Sequence, residues 1–250
     1  MERASFRTRL LDMTAFAVAV LCIWQGLYLW AGDVAITPPI PTIAHVAYLL
    51  GSDSFRPHLE ASISAFWYAL VIAIMAGVAM GLLLGFHRFS GEVAEPVLTS
   101  FYSLPKVTLY PIMLLVFGLG ISAKVAFGVI HGLIPVALFS MNAVRGINPT
   151  HLRTARVLRL SSLETLRTVV VPAIIPEIFT GIRVGFSLTL LGVLTGEMFA
   201  SQRGIGFLMI NAINLHDVKT IIALIFFLFI FATVANGLLL AIDRRLHANA

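Results

Sequence analysis

Six apolar runs, at residues 11–31, 61–86, 96–118, 125–142, 177–200 and 220–242, are separated by polar segments. Each holds roughly 20 residues, the length an α-helix needs to cross a hydrocarbon core about 30 Å thick. The pattern predicts an all-α integral membrane protein with six transmembrane helices in one domain, residues 1–250. The first run contains only Asp12, Thr14 and Gln25 as polar interruptions. It is longer than the ~7–15 residues of a signal-peptide core, and Leu29-Trp30-Ala31 makes a poor cleavage site, so it reads as an uncleaved span. In the second run Gly77, Gly81 and Gly85 fall on one face. Small residues at that spacing let helices approach closely, within one subunit or between two. The third run holds Pro105 and Pro111, which kink a helix and free backbone carbonyls.

The polar segments differ in kind. Residues 32–60, with Pro38, Pro39 and Pro41, read as an external loop with a short surface helix at 42–50. Residues 87–95 and 120–124 are turns, and 201–219 is a loop containing Arg203-Gly204-Ile205-Gly206. The segment 143–176 is too long for a turn. From Arg145 to Pro176 it carries Arg145, Arg153, Arg156, Arg159 and Arg167, with Glu164 as its one acid inside the loop. Leu152, Ala155 and Leu158 recur at i, i+3, i+6 and predict an apolar face on a helix at 150–160, with Arg153, Arg156 and Arg159 alongside. Ser161 or Ser162 caps a second helix, where Glu164 meets the positive end of the dipole. Spacing alone leaves two readings: a docking surface for a partner protein, or a solvated basic loop on anionic lipid.

Composition supports the membrane assignment. Residues are 59% hydrophobic and 12% charged, with mean hydropathy +0.95, against about 25% charged for soluble domains. The net charge of +5 does not indicate nucleic acid, because the basic residues flank apolar runs. Six spans place both termini on one side. Arg3, Arg7, Arg9, Arg88, the five loop arginines, Arg244 and Arg245 share it, against Arg56, Lys124, Arg203 and Lys219 on the other. The positive-inside rule therefore predicts cytoplasmic N- and C-termini and a cytoplasmic 143–176 loop. Cys22 is the sole cysteine, which excludes a disulfide framework. There is no G-x-x-x-x-G-K-[ST] phosphate loop, and Gly204-Ile205-Gly206 lacks the preceding strand of a dinucleotide site.

Several segments together resemble the permease subunits of bacterial ABC importers, and most closely the nitrate, sulfonate and taurine group. The family loop reads roughly E-A-A-x-x-x-G, followed after about nine residues by an apolar residue and proline. Here it corresponds to Arg153-Thr154-Ala155-Arg156-Val157-Leu158-Arg159-Leu160-Ser161 and then Val169-Val170-Val171-Pro172. Pro38-Pro39-Ile40-Pro41, Leu104-Pro105 through Tyr110-Pro111-Ile112, Phe117-Gly118-Leu119-Gly120, Pro172-Ala173-Ile174-Ile175-Pro176, Thr180-Gly181-Ile182-Arg183, Gly196-Glu197-Met198-Phe199-Ala200 and Gly204-Ile205-Gly206 carry it along nearly the whole chain. Three loop positions depart from the pattern: Arg153 replaces the glutamate, Thr154 the first alanine and Arg159 the glycine. Since glycine there permits positive φ, Arg159 implies that the turn falls at Ser161-Ser162 or that the helix runs on. It also implies an acidic partner groove or a shifted pose of the loop helix.

The resemblance implies a type I importer-like permease fold, a multi-pass location in the bacterial inner membrane and a pairing with a second copy of the chain. Two ATPase subunits would engage Arg153, Thr154, Ala155, Arg156, Leu158, Arg159, Leu160, Ser161, Ser162 and Leu163. A periplasmic or lipid-anchored binding protein would deliver the solute. No cofactor is expected in this chain, ATP and Mg²⁺ being bound by the partner ATPase. The chain itself is expected not to be an enzyme.

Charged and polar residues inside spans are the candidates for a solute path. Lys106 lies deep in the third run, where it lines a path for an anion, snorkels, or pairs with Glu177, Glu197 or another acid. Arg183 and Glu197 are fourteen residues apart, too far to pair within one helix, and each needs a partner on another span. His131, Ser187 and Thr189 either line a path or bond within the helix bundle. The alternatives are a secondary transporter with Lys106 and Glu197 as coupling charges, for which no inverted repeat is visible, and a membrane-embedded enzyme.

Overall fold

The computed structural model describes residues 6–248. Arg3, counted in the charge balance above, lies outside the described residues. Every regular element among the described residues is helical. In chain order these are α1 (Phe6–Ala31), α2 (Pro39–Gly51), α3 (Arg56–Phe86), α4 (Arg88–Ser103), a 3₁₀ turn (Lys106–Leu109), α5 (Tyr110–Phe117), α6 (Ile121–Arg145), α7 (Pro149–Val157), α8 (Ser162–Thr165), a π-helical turn (Leu166–Val170), α9 (Val171–Ala200), α10 (Ile205–Asn214) and α11 (Val218–Ala248). Five segments are long and apolar enough to cross a membrane: Thr14–Ala31, Arg56–Phe86, Ile121–Arg145, Ser162–Phe199 and Val218–Ala248. The sixth apolar stretch is α4 and α5, bent by 92° at the break between them. Pro105 lies at the break and supplies no N–H to a continuous helix, whereas Pro111 sits in the first turn of α5, where none is needed.

The described chain divides into two compact units. One comprises the chain up to Arg56 together with Met209–Ile230. In it Trp24 Nε1 donates to Thr37 O at 2.9 Å, and the Trp24 and Phe226 rings lie 5.5 Å apart. Asp217 caps α11, accepting from the Thr220 amide at 3.1 Å and from its hydroxyl at 2.6 Å. Those bonds favour the ionised form and hold the Asp217 carboxyl below the usual carboxylate range.

The second unit, Pro57–Leu208 and Phe231 onward, is built on the contact between α6 and α9. Glycines on both helices make it close. A Cβ at Gly132 would overlap the Thr189 hydroxyl, one at Gly185 would crowd Val136, and one at Gly192 would meet the His131 ring. The Gly77, Gly81 and Gly85 stripe of α3 packs onto Val136, Ser140 and Val144 of α6. It is thus used inside the subunit. Ala65, Phe66, Ala69, Leu70 and Val193 form one core, and Ala143, Val144, Val170 and Ile174 another, against which Leu152 of α7 packs. Large apolar side chains cover the outside: Trp30 and Leu115 are almost fully exposed. That is the surface expected where lipid is the solvent.

Candidate functional site

The loop after α6 begins with structural residues. Arg145, the last residue of α6, donates from Nη1 to Glu95 Oε2 at 2.8 Å and from Nη2 to the Arg88 carbonyl, so it ties α6 to α4. A Cβ at Gly91 would overlap this guanidinium. Asn148 caps α7 by accepting from the Thr150 amide at 2.9 Å, with Pro149 in the first turn.

Sequence reasoning misplaced the end of α7. Arg159 itself makes the turn, with φ of +54°. The Arg159 amide donates to Arg156 O and the Leu160 amide to Ala155 O, both at 3.0 Å. These are the two bonds of a Schellman motif, whose turning residue is usually glycine. The left-handed residue therefore falls where the family glycine falls, despite its side chain. Ser161 then caps α8. Its hydroxyl accepts from the Glu164 amide, and Glu164 Oε2 accepts from the Ser161 amide at 2.8 Å, completing a capping box. Ser162 is the first residue of α8 rather than its cap.

The predicted apolar face of this loop is split. Ala155 is 2% exposed and Leu152 half-buried against the chain's own core, whereas Leu158, at the helix end, is 65% exposed and Val157 81%. Leu163 and Leu166 are exposed as well. Arg153, Thr154, Arg156 and Arg159 are exposed along the same segment, and Leu160 is half-buried. The loop thus exposes large apolar side chains and three arginines along one short stretch of chain.

Inside the helical body the path candidates separate. Glu197 is fully buried and accepts from Ser62 Oγ at 2.7 Å, from the Gly206 amide at 3.0 Å and from Lys124 Nζ at 3.3 Å. Lys124 also donates to Arg203 O at 3.0 Å. A Cβ at Gly204 would overlap the Glu197 carboxylate, so Gly204, at φ of +133°, keeps room for it. Glu197 is consequently the centre of a closed network joining α3, α6, α9 and α10. Lys124, which the sequence suggests is an outer-turn charge, is a buried residue of α6. His131 is likewise a packing residue, with Nδ1 bonded to Phe127 O at 2.8 Å and its ring against Gly192.

Lys106 is buried without an ion pair among the described residues. Its Nζ donates to Tyr102 O at 3.0 Å and lies 5.3 Å from the Tyr102 ring centre. In a continuous helix that carbonyl would accept from the amide four residues on. The break at Leu104-Pro105 removes that partner, and the Lys106 ammonium supplies the donor instead.

Arg183 and Ser187 do come together. With Tyr102, Val184, Leu188, Asn236 and Leu240 they line an open groove of ≈ 410 Å³ among α4, α9 and α11. Arg183 Nη1 is 3.1 Å from Asp243 Oδ2, and Ser187 Oγ donates to Asn236 Oδ1 at 3.1 Å. Sequence reasoning missed Asn236 and Asp243, which lie about 50 and 60 residues further on and carry no local motif. Among the described residues, no cluster of three or more His, Cys, Asp or Glu has metal-binding geometry.

The sequence profile of the family described as binding-protein-dependent transport system inner membrane component matches residues 69–248. The chain belongs to this family. It is a transmembrane ABC permease subunit, which carries solute rather than catalysing a reaction. Among its relatives, the taurine transport system permease protein of Escherichia coli is 26% identical over 216 residues, covering 84% of this chain and 78% of that protein. A Bacillus subtilis protein named for aliphatic sulfonates transport is 24% identical over 230 residues, covering 91% and 83%. The nitrate import permease protein of Leptolyngbya laminosa is 27% identical over 235 residues, covering 90% and 84%.

Proposed function

We propose that this chain is the membrane subunit of an ATP-driven importer for a small anion of the sulfonate or nitrate class. In this reading two copies form the solute path near their two-fold axis. Two ATPase subunits, which bind ATP and Mg²⁺, engage the 143–176 loops on the cytoplasmic side of the inner membrane. A periplasmic or lipid-anchored binding protein supplies the solute. Closure of the ATPase pair would draw α7 and α8 with it and switch the helices between two packings. Binding at the loop drives the change only as far as it favours one packing over the other.

The observation that carries this reading is the exposure of Val157, Leu158 and Leu163 in the same short segment as exposed Arg153, Arg156 and Arg159, on a chain of this family. Apolar residues turned outward from an otherwise self-packed helix suit a protein groove, and the three arginines suit acidic walls around it. The names of the relatives favour an anionic solute. Gradient-driven transport through Lys106 and Glu197 is not favoured, since Glu197 is held by partners on three other helices and Lys106 by a backbone carbonyl.

Co-purification tests the docking. A tagged permease expressed with its neighbouring ATPase should retain the ATPase through detergent extraction. Leu158→Asp should reduce retention at least about tenfold, the scale of losing one buried leucine contact at an interface. Full retention by Leu158→Asp would remove the patch from the docking surface.

A further inference from the structure

The groove formed by Tyr102, Arg183, Ser187, Asn236 and Leu240 has more hydrogen-bond donors than its own residues use. Arg183 lies near the middle of α9, where a charge is costly unless it is paired or meets water. Asp243 answers it with a single contact at 3.1 Å, and one carboxylate contact leaves most of the five guanidinium N–H groups available. Asp243 is itself buried, lies outside the groove lining, and shares its charge with Thr180 Oγ1 at 3.0 Å and His247 Nδ1 at 3.5 Å. Because Ser187 donates to Asn236 Oδ1, the Asn236 NH₂ group remains to donate elsewhere. Among the described residues, none that lines the groove carries a carboxylate.

We infer that this groove is an oxyanion-binding station on the solute path, with Arg183 as the charged anchor, Asn236 as a second donor and Asp243 as the group that positions Arg183. The inference rests on the permease reading and names the residues that would hold the solute. Val184, Leu188 and Leu240 supply the apolar walls on which an alkyl sulfonate would lie. Two sources present the same chemistry: the transported anion and the phosphate of a lipid headgroup. We assign the groove to the solute.

Charged thiol reagents test this on the full chain. Leu240→Cys in a Cys22→Ser background would be purified in nanodiscs. It would be treated with sulfonatoethyl methanethiosulfonate, an anion, or its trimethylammoniumethyl counterpart, a cation, with each rate normalised to a free thiol. The anionic reagent should react about fivefold faster, given that the Arg183 guanidinium lines the groove while its partner Asp243 lies outside the lining. Taurine or nitrate should slow that reaction, and Arg183→Gln should abolish the preference while Arg183→Lys keeps it. Asn236→Leu, which leaves the ion pair intact, should weaken the protection by taurine or nitrate. Failure of both reagents to react, a cationic preference, or an anionic preference unchanged in Arg183→Gln would overturn the inference. Protection by phosphatidylglycerol but not by taurine or nitrate would assign the groove to lipid and overturn it too. ATPase co-purification with the same preparation reports separately on the permease reading, so the two can fail independently.

Discussion

Arg159 shows how much a single side chain can mislead and how little it changes the backbone. A left-handed residue with a Cβ costs roughly 1–2 kcal/mol, of which the extra flexibility of glycine in the unfolded chain cancels part. The turn persists at Arg159 because the Schellman bonds that close α7 and the capping box that opens α8 fix it. Arg159→Gly should therefore stabilise the protein by roughly 0.5–1 kcal/mol, read as a higher melting temperature in detergent with helical content unchanged. A lower melting temperature would mean that the arginine side chain contributes more than its backbone costs. Glu197 was legible as a residue needing a partner on another helix. Which partner was not legible, because Lys124, Ser62 and Gly206 lie 73, 135 and 9 residues away and only folding brings them together. Lys106 makes the converse point. A buried lysine suggests an acid, but an opened helix offers it a carbonyl.

Helices were readable from their apolar runs, and their faces much less so. A membrane helix is apolar on all sides, so periodicity cannot say which side meets protein and which meets lipid. Glycine spacing carries that information. The α6–α9 contact depends on it. Gly132→Val should destabilise the permease by about 1–3 kcal/mol, the usual cost of overpacking, because its side chain would run into Thr189 and the Gly185 carbonyl. Gly26→Val in α1, where no atom lies within 4 Å of the added Cβ, is the matched control and should change the melting temperature little. Equal effects at the two positions would refute this account of the interface. The α7 segment shows the limit of a spacing argument. Leu152, Ala155 and Leu158 share a helical face on paper, yet the helix ends at Val157. Leu158 leaves the face and turns outward.

For the whole molecule, charge asymmetry is the sequence's guide to orientation. Arg244, Arg245 and the loop arginines predict that the C-terminus and α7 share the cytoplasmic side. A green fluorescent protein fused after Ala250 should fluoresce and an alkaline phosphatase fused there should be inactive. Active phosphatase would invert the topology and move the docking patch out of reach of an ATPase. Lys124 does not weaken the charge argument, since a lysine buried in an ion pair with Glu197 no longer reports on the side of the membrane.

The sequence by itself determined that this is an all-helical membrane protein and which family it belongs to. Hydrophobic length must match the bilayer wherever the chain crosses it, and the family motifs are local in sequence. Only the tertiary structure decided which polar residues close on one another and which remain open. Glu197, Lys124 and Ser62 form a sealed network, His131 packs, and Arg183 reaches a groove with Ser187 and Asn236. The physical reason is that most buried polar groups find a partner. The partners sit on helices far apart in sequence, so only their packing determines which groups remain available to a solute.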